Sequence, residues 1–189
     1  MQFIVPPSAQ KISRLFPPLT VEKNFLNPQE LSEVCNFFRD QKSRFNYNSD
    51  EPEVIHHNCR IHSTQVPESS LSFIRESFQK AFHKLAAAEK LNSAPRLDFG
   101  VTLTAKYYEV GDFYRAHVDQ SASGLSFLFQ LQLDTDQPKP PDLIFLDGDR
   151  VTFEHNQLLI FHSYRLHHFD QGDIPVSKGI LLMLPGLLP

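Results

Sequence analysis

Apolar positions along this chain follow two different periods, and the change falls near residue 97. Before it the spacing is helical. In "FLNPQELSEVCNFFRD", Leu31, Val34, Cys35 and Phe38 form an i, i+3, i+4, i+7 stripe, which predicts a helix packed on one side. Asn27 stands at the cap, Pro28 at the first helical position and Glu30 where a capping box needs it; Leu26 and Leu31 have staple spacing. A second helix is predicted after Pro67, with Leu71, Ile74, Phe78, Phe82 and Leu85 on one face and Asn92, Ser93 and Pro95 as its stop. The Pro-punctuated residues 1–25 read as an extended surface segment.

After residue 97 the period is two. In "FGVTLTAKYY", Phe99, Val101, Leu103, Ala105 and Tyr107 share one face, and Thr102, Thr104, Lys106 and Tyr108 the other. In "LSFLFQLQL", Leu125, Phe127, Phe129, Leu131 and Leu133 oppose Ser126, Gln130 and Gln132. Shorter apolar runs at 142–147, 157–162 and 179–184 predict further strands, broken by "TDQPKPPD" and "DGDR". Helices followed by six or more strands make an α+β protein whose strands close into a sandwich or barrel. One domain over residues 1–189 is expected: an N-terminal segment 1–25, a helical support region 26–95 and a β core 96–189.

Composition narrows the function. The chain is 41% hydrophobic, with seventeen Phe and no Trp, so it can build a core. A formal charge of −4 offers no basic stripe, which argues against phosphate-driven nucleic-acid binding. Cys35 and Cys59 make neither a disulfide framework nor a C-x-x-C. The start lacks a basic n-region and no stretch is long enough to span a bilayer, so a cytoplasmic protein is expected. The pattern carries no reading of oligomeric state.

The chemistry is concentrated in "FYRAHVDQ". On a strand, His117 and Asp119 point to the same side and aim an imidazole and a carboxylate at one point; on a helix they would diverge by about 200°. Two ligands do not make a metal site, and H-x-D arises easily in a chain with nine His. A third ligand must come from another strand.

The flanking residues bear on that need. Tyr108, Gly111, Tyr114, His117 and Asp119 read Y-x-x-G-x-x-Y-x-x-H-x-D, and Phe161, Ser163 and His167 read F-x-S-x-x-x-H. With the opening "FL-x-P-x-E-L" helix, the chain from about residue 20 to 185 resembles the iron(II)- and 2-oxoglutarate-dependent dioxygenases, in their prolyl-4-hydroxylase-like branch. The resemblance implies a double-stranded β-helix (jelly-roll) core, with iron(II) held by His117, Asp119 and His167, and 2-oxoglutarate and O2 as cosubstrates. It implies hydroxylation or another oxidation of an unactivated C–H in an amino-acid, peptidyl or small natural-product substrate. His168 competes for the third position, but the register selects His167 and alternation turns His168 away. Second-ligand-shell hydrogen bonds to the histidines are required, and the sequence assigns none of them.

One family feature is missing. Relatives anchor the distal carboxylate of 2-oxoglutarate with a basic residue two positions past a glycine on the strand after the third ligand. Here Gly179 is followed by Leu181. A buried carboxylate needs a cation or several donors. Lys106 is one candidate replacement and Tyr108 a hydroxyl contact; Lys178 and Arg165 are others with less favourable register. Arg115 has the parity of His117 and faces either substrate or solvent. Phe127, Phe129 and Phe145 would wall the site or simply pack the core, and the loops around 44–66 and 134–142 would frame its entrance. His162 reads as hydrogen-bonded or solvated, and His56, His57, His62, His83 and His155 as surface or structural. Two other readings stay open: a degenerate β-helix that only binds, and a metal enzyme on the same scaffold, such as a zinc hydrolase, that does not use 2-oxoglutarate.

Overall fold

A computed structural model of the protein describes residues 5–49, 59–109, 112–169 and 177–188. Gly111, His56 and His57 lie outside the described residues.

In chain order, α1 (Pro7–Ser13) and β1 (Leu19–Lys23) precede α2 (Pro28–Asp40), then β2 (Asn46–Ser49), β3 (Cys59–Gln65) and α3 (Ser72–Ala88). There follow β4 (Leu97–Asp98), β5 (Leu103–Tyr108), β6 (Phe113–Tyr114), β7 (Leu125–Gln132), β8 (Leu143–Phe145) and β9 (Arg150–Val151). The chain closes with β10 (Gln157–His162), β11 (His167–Phe169), β12 (Lys178–Met183) and β13 (Gly186–Leu187).

The capping box forms as the sequence predicts. The Asn27 side chain accepts from the Gln29 and Glu30 amides, and the Glu30 carboxylate accepts from the Asn27 amide at 3.1 Å. The second helix starts after Leu71, whose φ of 52° marks the entry, and stops at Ala88, short of the expected breakers. The N-terminal segment departs from expectation. It contains a helix, and its extended part, β1, is an edge strand paired antiparallel with β10 (Val21 opposite Leu159). Two strands, β2 and β3, fall within the region expected to be helical support and loop.

The strands pair antiparallel. An eight-stranded sheet runs β1-β10-β7-β12-β5-β3-β2, with β6 joined to β3; β11-β8-β9 form a second, three-stranded sheet. Alternation along each strand sorts its side chains into two layers. Leu125, Phe127, Phe129 and Leu131 of β7, with Leu103 and Ala105 of β5, pack against the helices beside Phe38, Phe78 and Phe82. The opposite faces, with Tyr108, Leu128, Leu159, Ile180 and Leu182, meet Leu143, Phe145 and Phe169 of the smaller sheet. At roughly 1.5–3 kcal/mol for each fully buried large apolar side chain, both layers contribute heavily to stability. The site lies in the second layer. Among the described residues, no helix is long and apolar enough to cross a membrane.

Candidate metal centre

His117 and His167 approach from different directions and lock together through their backbones. The His117 amide donates to the His167 carbonyl at 3.1 Å, and the His167 amide to the His117 carbonyl at 3.0 Å. Asp119 is fixed by the same turn, its amide donating to the Ser163 carbonyl at 2.8 Å, while the Ser163 amide donates to Gly124 at 2.9 Å. The serine of the F-x-S-x-x-x-H pattern thus serves through its backbone. Its carbonyl ties the two halves of the site together.

The side chains converge. The Nε2 atoms of His117 and His167 stand 3.6 and 3.7 Å from Asp119 Oδ1, and one ligand atom from each residue lies within 4.8 Å of the others. The Nδ1 atoms face away, at 2.8 Å from the Arg115 carbonyl and 2.9 Å from the Arg165 carbonyl. A carbonyl only accepts, so each Nδ1 carries the proton and each Nε2 turns a lone pair toward Asp119. These are the supporting hydrogen bonds that the sequence left unassigned. His168 points to the other face, opposite Ile144 and half-buried, while the His167 side chain is buried.

Electrostatics suit a cation. Burial by itself would raise the Asp119 carboxyl, but its hydrogen bond to His117 and the field of His167 outweigh that and hold it down at about 2. Burial pushes the His167 imidazole down to about 4, so at neutral pH it is an uncharged donor set against a carboxylate. Asp119 Oδ2 is buried with no hydrogen-bond partner among the described residues. Such an oxygen is costly unless something positive reaches it.

The three groups line a narrow pocket of about 10 Å³ together with Lys106, Tyr108, Tyr114, Leu128, Phe169 and Ile180 among others. Tyr114 stacks on the His117 ring with centroids 3.5 Å apart, and the Lys106 ammonium sits 4.5 Å from the centre of the Tyr114 ring. Lys106 and Tyr108 share the strand face that looks into this layer, as their alternation predicts.

The strand of the missing Arg holds a different residue at work. Leu181 turns to the helix side, among Phe129 and Ala105, so the position counted from Gly179 does not face the cavity. Lys178, Ile180 and Leu182 do face inward. Lys178 is fully buried, its Nζ has no hydrogen-bond partner among the described residues, and it lies 3.5 Å from the centre of the Phe169 ring. Burial pushes this amine well below its ordinary range, with slight relief from Asp142. Arg165 is excluded as an anchor because Asp147 and Asp149 already hold its guanidinium. Arg115 is exposed beside Phe113. Of the three phenylalanines, only Phe145 stands near the histidines, with ring centroids 5.7 Å from His167; Phe127 and Phe129 pack against the helices. Phe161, 4.9 Å from the His167 ring, completes that wall. His162 bonds the Phe16 carbonyl at 3.1 Å, and His155 accepts from the Gln132 amide at 3.2 Å.

In sequence, the chain matches no family model and no curated protein. In structure it is similar to several solved proteins. A viral collagen prolyl hydroxylase from Paramecium bursaria Chlorella virus-1, solved as a 2OG complex, is 12% identical over 90% of this chain and 97% of its own, with a TM-score of 0.63. A prolyl-4-hydroxylase of Pseudomonas putida is 12% identical, with coverage of 94% and 99% and a TM-score of 0.64. The fold is that of the iron(II)/2-oxoglutarate oxygenases. A Trichoplax adhaerens prolyl hydroxylase, in complex with a hypoxia inducible factor oxygen degradation domain peptide fragment, is 15% identical over 93% of this chain and 91% of its own, at a TM-score of 0.59. At these identities the likeness speaks for the oxygenase fold, and the chemistry must be argued from the side chains.

Proposed function

We propose that this chain is an iron(II)- and 2-oxoglutarate-dependent oxygenase that hydroxylates or otherwise oxidises an unactivated C–H of an amino-acid, peptidyl or small natural-product substrate. The observation that carries the reading is the convergence of two imidazole Nε2 atoms on the Asp119 carboxylate, each imidazole held in the ligating tautomer by a backbone carbonyl. In this reading the two sheets form the double-stranded β-helix of the oxygenase fold.

His117, Asp119 and His167 would hold the iron through two imidazole nitrogens and one carboxylate oxygen, the donor set of a two-histidine, one-carboxylate site. Bound iron and 2-oxoglutarate supply the oxidising chemistry with O2; the protein supplies place, dryness and orientation. Lys178 is the residue we assign to the distal carboxylate of 2-oxoglutarate. Its buried amine has no hydrogen-bond partner among the described residues, and an arriving carboxylate would favour the ammonium form and satisfy it. Lys106 and Tyr108 are assigned to the cosubstrate's flank, where a cation and a phenol line the same cavity. Phe145 and Phe161 keep water from the ligand histidines.

The reading is tested by adding iron(II) and 2-oxoglutarate anaerobically and recording the absorption spectrum, then admitting air and measuring succinate. A visible charge-transfer band and succinate formation are expected. A protein that binds iron but turns over no 2-oxoglutarate, with or without a panel of prolyl peptides and free amino acids, would overturn it.

A further inference from the structure

The two ligand histidines are supported unequally. Each gives its Nδ1 proton to a carbonyl two residues earlier, Arg115 for His117 and Arg165 for His167. The side chain of Arg115 is exposed and lies over the face of Phe113, at 5.5 Å. That of Arg165 is clamped from three sides. Its Nε and Nη2 donate to the two carboxylate oxygens of Asp147 at 2.7 and 2.6 Å, a fork-to-fork geometry that only a guanidinium offers. Nη2 also reaches Asp149 at 2.6 Å, and Nη1 donates to the Pro18 carbonyl at 3.1 Å. The guanidinium lies 4.1 Å from the centre of the Phe145 ring, and Phe145 is the strand partner of His167.

These contacts join three parts of the chain at one point. Asp147 and Asp149 belong to the turn after β8, and Pro18 to the segment between α1 and β1. That segment is fastened to the end of β10 twice more, by the His162 amide donating to Pro18 at 3.3 Å and by His162 Nε2 lying 3.1 Å from the Phe16 carbonyl. The short turn between β10 and β11, which presents the third ligand, is therefore held by an arginine whose partners all lie elsewhere in sequence.

Resting on the metal-site reading above, we propose that Arg165 is a positioning residue for the metal. Its clamp fixes the carbonyl that orients His167 and thereby sets the affinity of the site. The sign of the effect separates positioning from charge. Arg165 is a cation near a site for a dication, so removing it should tighten metal binding if only electrostatics mattered. Positioning requires the opposite. Loss of a partner that orients a ligand histidine typically weakens metal affinity by about 10- to 100-fold.

The experiment titrates the metal-free full chain with cobalt(II), reading affinity and the visible d–d bands, for wild type, Arg165→Met, Arg165→Lys, the double variant Asp147→Asn/Asp149→Asn, and Arg115→Met. Expected is at least tenfold weaker binding with altered bands in Arg165→Met and in the double variant, no recovery in Arg165→Lys, and wild-type behaviour in Arg115→Met. The double variant retains the arginine on Phe145 but removes two anions, which by charge alone also weakens binding, so there the altered d–d bands, and not the affinity, report on the clamp if Arg165→Met fails to fold. Unchanged or tighter binding with wild-type bands in both would overturn the proposal, as would an equal loss in Arg115→Met. Wild type that binds no cobalt(II) would overturn the metal-site reading and this proposal together; wild type that binds while the clamp variants match it overturns this one alone.

Discussion

His117 and His167, fifty positions apart, hydrogen-bond to each other through both backbones, amide to carbonyl at 3.1 Å and 3.0 Å. The pair is the only bridge outside the named strands among the described residues. It brings two imidazoles to one carboxylate without requiring either to lie within a long strand.

That arrangement predicts a sharp contrast between neighbours. His167→Ala and Asp119→Ala should each weaken cobalt(II) or iron(II) binding by well over a hundredfold, since a ligand is lost outright. His168→Ala should leave it within about twofold, because that ring faces Ile144 on the opposite side. Equilibrium metal titration checks both. Equal losses at His167 and His168 would contradict the geometry.

Lys178 should behave as a residue kept for binding at the expense of the empty protein. Lys178→Met leaves shape nearly unchanged and removes a buried amine that lacks a hydrogen-bond partner among the described residues, so stability in urea should rise by about 1–3 kcal/mol. The same variant should bind 2-oxoglutarate roughly 10- to 100-fold more weakly, by calorimetry on the zinc-loaded protein, because a charge-assisted hydrogen bond is lost. Lys106→Met should cost less affinity.

Acid should destabilise the metal-free protein in two stages. Burial holds His167 at about 4 against 6.5 in an exposed setting, so on acidification the unfolded chain takes up that proton first. Stability should fall from near pH 6.5 downward, by about 2 kcal/mol on reaching pH 5. Asp119, held at about 2 in the fold despite its burial, gives stability that is fully present above its ordinary 3.8 and lost as pH falls from there toward 2. Urea unfolding at pH 7 and 5 should show the first stage in wild type and a smaller one in His167→Phe.

Gly124 ties the N-terminal helix to the site. Its φ is +77°, and a Cβ there would come within 2.6 Å of the Ala9 carbonyl oxygen, a backbone atom that cannot swing aside. Its own carbonyl receives the Ser163 amide. Gly124→Ala should therefore lower stability by about 2 kcal/mol or more, through strain and overpacking together. A thermal melt within a degree of wild type would show that α1 is not packed as described.

Where neighbouring residues settle a feature, the sequence was legible. The α2 capping box needs only Asn27 and Glu30, and the two-residue period of 103–108 and 125–132 sorts side chains into layers whichever strands they meet. His117, Asp119 and His167 were named through the resemblance to the dioxygenase pattern; the strand expected at 117–119 is in the structure an isolated bridge at His117, with Asp119 beyond it. The N-terminal segment was misread for the opposite reason. Val21 pairs with Leu159 across more than a hundred positions, and prolines that argue against regular structure locally do not forbid an edge strand or a short helix. The Lys178 register was obscured in the same way. Counting from Gly179 pointed to Leu181, but pairing with Tyr108 and Gln132 decides which side chains turn inward.

Local periodicity and caps are properties of a few consecutive residues, so composition, element type and strand faces could be had from the chain of letters, and the three candidate ligands from its resemblance to the dioxygenase pattern. Which carbonyls hold the imidazole protons, which lysine is buried against Phe169, and which arginine braces the third ligand depend on contacts between distant segments. Backbone hydrogen bonds and burial are settled only when those segments meet, and that meeting is what packing supplies.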